Sequence, residues 1–234
     1  ELVQIFARNA ERARIIAELT ATDWATHPGM LAQDADIYLI AVSDKAVEHV
    51  AATLPIPEGA AVAHTAGSVP LAAIPEKFAR RAVFYPMQTF TKGREVDFSV
   101  IPVFLETPSA ELRPELEAFA RQLSGTVIWA TSEQRARVHL AAVFACNFVN
   151  HMYAVGEGIV RSAGLPFDVL KPLLAETAAK TLDAASPADV QTGPAVRNDL
   201  HTMARHRALL AADPRLENIY SIISNNIWET SKKI

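Results

Sequence analysis

The side chains best suited to chemistry cluster between residues 132 and 150. At 100° per residue, Ser132, Arg135, His139, Val143, Cys146 and Asn150 share one helical stripe, with Asn147 beside it. The rest of the circumference carries Val138, Leu140, Ala141, Ala142, Phe144, Ala145, Phe148, Val149 and Met152, so the helix is predicted to be buried with its polar stripe facing a cleft. Histidine titrates near neutral pH, so His139 is a candidate proton donor, and the Asn147 and Asn150 amides could orient a carbonyl or imine. The competing interpretation is a hydrogen-bonded histidine on a wetted helix edge. Cys146 lies among apolar residues and reads as packing rather than as a nucleophile.

A second set of candidates follows apolar runs that read as strands. Arg8 and Asn9 come after the first. An arginine there can pair with a ribose 2′-phosphate, which points to NADP rather than NAD, or it is simply a solvated surface residue. Val42-Ser43-Asp44 follows the second run and could equally be a helix cap. His64-Thr65-Ala66-Gly67-Ser68 follows the third, where small residues let a flat ligand approach the backbone; an ordinary turn has the same composition. Tyr85-Pro86-Met87-Gln88-Thr89-Phe90 is dense in aromatic and amide groups for a loop. Farther on, Gln191 to Asp199 reads as a helix start. There Arg197 and free backbone N–H groups could hold an anion, or the segment is only a cap.

These candidates need a scaffold, and the first half of the chain supplies an alternating one. Strands are predicted at Leu2–Ala7, Asp36–Val42, Ala60–His64, Ala82–Tyr85, Val103–Glu106 and Thr126–Trp129. Helices are predicted at Ala10–Leu19, Asp44–Ala52 and Glu111–Leu123, which makes an α/β domain with a doubly wound, mostly parallel sheet. After residue 131 the strand signals stop. Ser132–Arg161 reads as one helix about 45 Å long, which Gly156 and Gly158 could bend or end early. Helices at Pro166–Asp183, Pro194–Ala211 and Arg215–Trp228 follow. The expected division is therefore 1–131 and 132–234.

Composition narrows the field. The 234 residues carry 22 Lys plus Arg and 26 Asp plus Glu, a formal charge of −4, which argues against a nucleic-acid binder. A single cysteine excludes an intrachain disulfide and a thiolate metal cage, and the seven histidines show no metal-ligand spacing. Uninterrupted apolar runs such as Leu140–Cys146 are too short to span a bilayer, so a cytoplasmic protein with no membrane partner is expected. Neither a phosphate-binding loop of the Walker type nor a G-x-S-x-G elbow is present.

Taken in order, His64-Thr65-Ala66-Gly67-Ser68, Tyr85-Pro86-Met87-Gln88-Thr89-Phe90, His139-Leu140-Ala141-Ala142-Val143-Phe144 with Asn147, and Thr192-Gly193-Pro194 with Arg197 resemble a known family. These are bacterial Rossmann-like proteins with a helical C-terminal domain of unassigned function. They are commonly labelled NADP oxidoreductases and are similar to deazaflavin-dependent NADP reductases and pyrroline-5-carboxylate reductase. The resemblance implies a Rossmann-type domain followed by an all-helical domain of the 6-phosphogluconate dehydrogenase C-terminal type. It implies NADP against Arg8, Asn9, Val42, Ser43, Asp44, Thr65, Ala66 and Gly67. Substrate would lie among Met87, Gln88, Arg135, Thr192 and Arg197, with His139, Asn147 and Asn150 as catalytic residues and no metal. Related dehydrogenases carry a lysine with an amide partner on the long helix; the nearest equivalent here is Arg135, which cannot act as an acid at neutral pH. Family members also open with a strand and a glycine-rich turn not found in these 234 residues; the expectation is a sequence that lacks its first strand, the alternative a protein that has lost pyrophosphate binding at that helix N-terminus. The implied activity is hydride transfer to or from a small carbonyl or imine. The alternative is a non-catalytic dinucleotide-binding sensor or scaffold. A homodimer through the helical domain, using Phe167–Leu174 and Ile219–Ile227, is expected.

Overall fold

The computed structural model describes residues 1–232, and the chain divides into two units, Glu1–His151 and Met152–Ile234. In the first unit β1 (Gln4–Phe6), α1 (Ala10–Thr20) and β2 (Asp23–Ala25) come first. Then come β3 (Ile37–Ile40), α2 (Val47–Thr53), β4 (Ala61–His64) and β5 (Arg81–Pro86). The unit continues with β6 (Val103–Glu106), α3 (Leu112–Leu123), β7 (Val127–Trp129) and the start of a long helix, α4 (Ser132–Ser162). The predicted strands and first three helices are all present to within a few residues. β2 went unpredicted because Asp23-Trp24-Ala25 is short and gives no apolar alternation.

Five strands form a sheet in the order β3-β4-β5-β6-β7, while β1 and β2 form a separate parallel pair. The pairs β3–β4, β4–β5 and β6–β7 are parallel, and β5–β6 is antiparallel. The reversal follows from the connections. The β4–β5 connection buries Ile74 and Phe78 completely and so crosses the sheet face. The β5–β6 connection is polar and exposed from Gln88 to Asp97, and β6 returns alongside its predecessor.

Both faces of the five-stranded sheet are covered. On one, Phe84, Val103 and Leu105 pack with Leu112, Leu116 and Ala120 of α3. On the other, Val83, Tyr85 and Phe104 meet Leu71, Met87 and Val138. Tyr38, Ile40 and Val62 close a third cluster with Ala51, Ile74 and Phe78.

Helix α4 is continuous, as predicted, and runs through Gly156 and Gly158 without ending. Three expectations about it fail. It contains a π-helical segment, Val143–Phe148, which the 3.6-residue pattern does not reveal. It is not buried: Leu140, Phe144 and Phe148 are 57%, 62% and 48% exposed, because only the edge bearing Arg135 meets the sheet. And although no uninterrupted apolar run is long enough, the whole helix is long and apolar enough to cross a bilayer. The division into units falls inside this helix rather than at residue 131, since Ser132 and Arg135 are bonded to the sheet unit.

The second unit holds the end of α4, then α5 (Lys171–Asp183), α6 (Leu200–Leu210) and α7 (Pro214–Ser231). Helix α6 starts six residues later than Pro194 because Gly193 and Asn198 take positive φ angles of 110° and 50°, which a helix cannot absorb. Among the described residues of this unit only Ala195 is buried.

Candidate functional site

The site is built on the loop after β4 and on the first two turns of α4. Thr131 opens the helix with a capping box that includes Gln134. Ser132 and Arg135 then face Glu106, at the end of β6. The Arg135 guanidinium is completely buried and lies 2.8 and 3.2 Å from Glu106 Oε2. Its remaining donors reach the carbonyls of Ala66, Gly67 and Val69 at 3.0 to 3.1 Å and Ser132 Oγ at 3.2 Å. Every face of the guanidinium fork is therefore used by the protein. Arg135, expected to bind substrate, instead ties three parts of the 66–69 loop to the helix. An apolar helix carrying a buried arginine requires a counter-ion, and Glu106, an acid closing an apolar strand, was the readable signal for it.

The loop so held presents Gly67 to a pair of side chains. Tyr85 Oη lies 3.3 Å from His139 Nδ1, with the rings edge to face at 6.3 Å between centroids. A Cβ on Gly67 would sit 2.6 Å from Tyr85 Cζ and 2.9 Å from His139 Nδ1, both closer than real contacts allow. Only glycine fits there. Burial raises the Tyr85 phenol above its ordinary range, with the Asp44 charge acting in the same direction and Arg135 opposing. Tyr85 was not among the sequence candidates, although it stands at the carboxyl end of β5 in a stretch that was singled out.

His64 sits beneath this loop, fully buried. Its Nδ1 accepts the Ala66 N–H at 3.2 Å, which places the ring proton on Nε2, an atom with no partner among the described residues. Desolvation, reinforced by the Arg135 cation, lowers its pKa to about 4, so this histidine is neutral.

The other candidates fall into three groups. Val42, Ser43 and Asp44 are exposed after β3, and Asp44 accepts a hydrogen bond from Ser68, joining the crests of β3 and β4. Thr65 and Ala66 lie between them, and Thr65 N–H donates to Ile40 O at 3.3 Å. Arg8 is exposed after β1, whereas the Asn9 side chain is already spent as the α1 cap, accepting Arg12 N–H at 2.9 Å. Met87 packs into the cluster around Tyr85, while Gln88 lines a polar cavity of about 510 Å³ with Arg94, Glu95 and Asp97.

Asn147 and Asn150 are both exposed on α4. The π-helical segment, which contains Cys146 and Asn147, adds about one residue to the turn, so residues within and beyond it are rotated progressively, by up to roughly 100°, relative to an unbroken α-helix. The rotation moves Asn147 toward the His139 stripe and Cys146 and Asn150 away from it. Thr192 and Arg197 do not flank a helix start. The α6 cap is Asp199, whose carboxylate accepts Thr202 N–H at 3.0 Å and holds the position an anion would need. Thr192 instead lines an apolar cavity of about 310 Å³ within the helical unit, together with His206 and Tyr220.

No cluster of three or more metal-binding side chains occurs among the described residues. Known proteins share this fold. Residues 101–227 match a family described as a domain of unknown function, DUF2520. The chain belongs to the DUF2520 family. It is 40% identical to a candidate NADP oxidoreductase of Bacteroides fragilis, with a TM-score of 0.89 over 98% of this chain and 89% of that one. A Thermotoga maritima protein is 23% identical with a TM-score of 0.82, covering 98% and 91%. An imine reductase from Myxococcus stipitatus, in complex with NADP+, is 14% identical with a TM-score of 0.62, covering 98% and 84%. The last two likenesses show the fold alone. No curated protein matches the chain. This DUF2520 member therefore has a Rossmann-type sheet unit followed by a helical C-terminal region, the fold of NADP-linked oxidoreductases.

Proposed function

We propose that this DUF2520 chain is an NADP-dependent oxidoreductase acting on a small carbonyl or imine compound. The observation that carries the proposal is the Tyr85–His139 pair, held against Gly67 beside the carboxyl ends of β4 and β5. Parallel α/β sheets bind ligands at those ends. The residues present fit a phosphorylated dinucleotide in part. Arg8 is exposed and makes no salt bridge among the described residues, which suits a 2′-phosphate, and Ser43, Thr65 and Ala66 offer small crests. When bound, the dinucleotide would supply or accept the hydride.

The protein's own part is to hold a proton. His139 Nε2, on the far side of the ring from Tyr85, would give that proton to the carbonyl oxygen or imine nitrogen in the reducing direction. Asn147, on the same stripe, would orient that group. Arg135 and Glu106 fix the loop and take no part in proton transfer. Replacing His139 by Asn should lower turnover about 100-fold or more while leaving NADPH affinity unchanged. Unchanged turnover would refute the assignment. Nucleotide binding with no turnover on any carbonyl or imine would favour a sensor or scaffold module.

We infer that the functional unit is a homodimer formed through the helical region. A folded chain of 25.4 kDa exposes about 10,300 Å² by the usual scaling, and this one exposes 15460 Å². The excess is about 5,000 Å² on each chain, or about 10,000 Å² across a pair, more than the roughly 2,000–5,000 Å² that obligate dimers commonly bury, so a dimer interface would cover only part of it. Much of it is apolar and helical: Val169, Leu173, Ile222 and Ile223 are all exposed.

A further inference from the structure

The geometry points to Tyr85 as the positioning residue that fixes which nitrogen of His139 carries the proton, with Gly67 keeping the two in register. This rests on the proposal that His139 is the proton donor and adds a residue that acts through it. Tyr85 is 8% exposed, and its oxygen has one hydrogen-bond partner among the described residues, His139 Nδ1 at 3.3 Å. Buried donors are left unpaired more rarely than oxygen lone pairs are. The hydroxyl is therefore satisfied by donating to Nδ1. An Nδ1 that accepts is unprotonated, so the neutral ring keeps its proton on Nε2.

Left alone, an imidazole ring can present either nitrogen, and only one arrangement leaves a proton at the outward position. Gly67 leaves the room in which the two rings meet. A Cβ there would press on both Tyr85 and His139 Nδ1, so a side chain would displace one or both rings, and the Gly67 carbonyl is held by Arg135 Nη1 at 3.1 Å. The loop clamp, the glycine and the tyrosine are thus one device acting on one imidazole nitrogen.

The proton balance closes with one proton drawn from solvent. As the substrate oxygen or nitrogen gains a hydrogen, the His139 Nε2–H bond breaks and Nδ1 takes the Tyr85 proton. This leaves a neutral ring protonated at Nδ1 and a tyrosinate. A solvent proton then restores the starting state. Burial favours the protonated phenol, so the rest state is the one with the proton in place.

The test is nitrogen-15 NMR of the imidazole rings in the full chain without nucleotide or substrate, with the His139 signal assigned through His139→Asn. The wild type should show the Nε2–H form. Tyr85→Phe, which keeps the ring but removes the donor, should raise the Nδ1–H population about fivefold, the factor equal to one ordinary hydrogen bond. Gly67→Ala should do the same by displacement. A wild-type ring protonated at Nδ1, or a Tyr85→Phe spectrum identical to wild type, would overturn the inference. Because this measurement involves no turnover, it stands or falls separately from the reductase proposal. An active His139→Asn variant would refute that proposal and leave the tautomer result untouched.

Discussion

At the scale of single residues, most of the meaning lies in the buried Arg135 and His64 and in Glu106, the partly buried partner of Arg135. The Arg135–Glu106 pair is worth little as an isolated attraction, since burying both charges offsets much of their mutual gain, but breaking it strands one charge in the interior. Glu106→Ala should therefore destabilise the protein by about 3–5 kcal/mol, visible as a fall of roughly 10 °C in the thermal midpoint. A loss under about 1 kcal/mol would show that the guanidinium is held by carbonyls alone. His64 gives a pH signature. Its folded pKa of about 4 lies below the ordinary histidine value, so between pH 6.5 and 4 the unfolded chain binds a proton that the folded one refuses. Its contribution, up to about 3 kcal/mol, is intact above pH 6.5 and is lost as the pH falls toward 4. His64→Asn, whose amide oxygen can still accept the Ala66 N–H, should flatten denaturation midpoints measured over that range. An equally steep profile would place the effect in other groups. The sequence showed Arg135 and His139 as chemistry-bearing but not which of them was spent on structure. That distinction depends on Glu106, 29 positions away, and spacing along one helix cannot reveal it.

At the scale of elements, helix α4 joins structure to chemistry. Its first two turns are pinned to the sheet unit by Ser132 and Arg135, and its π-helical segment re-aims the side chains beyond. The helix itself was legible, because a run of good helix formers after Thr131 leaves little alternative. The re-aiming was not, because a π segment is set by packing rather than by residue type. If reactants are oriented from the His139 stripe, Asn147→Ala should cost about tenfold or more in turnover, and Asn150→Ala should cost little. Equal losses would indicate that the stripe runs as an unbroken α-helix. The sheet teaches a similar lesson. Strand positions were readable from apolar runs, yet the antiparallel return of β6 depends on whether a connection crosses the sheet face, and only the burial of Ile74 and Phe78 against the exposure of Gln88–Asp97 distinguishes the two cases. The late start of α6 escaped because Gly193 and Asn198 adopt positive φ, which Thr-Gly-Pro suggests only weakly.

At the scale of the whole molecule, two properties remain to be measured: assembly and cofactor. A helical region with one buried residue among those described cannot bury its own apolar surface. Light scattering after size exclusion should give about 51 kDa, twice the 25.4 kDa chain, and a single species near 25 kDa would contradict the dimer. The cofactor is tested by calorimetric titration of NADPH and NADH into the purified protein. The account predicts NADPH binding tighter than NADH, with the preference reduced about tenfold or more by Arg8→Ala. Binding of neither nucleotide would contradict it and leave the Rossmann-type sheet serving some other ligand.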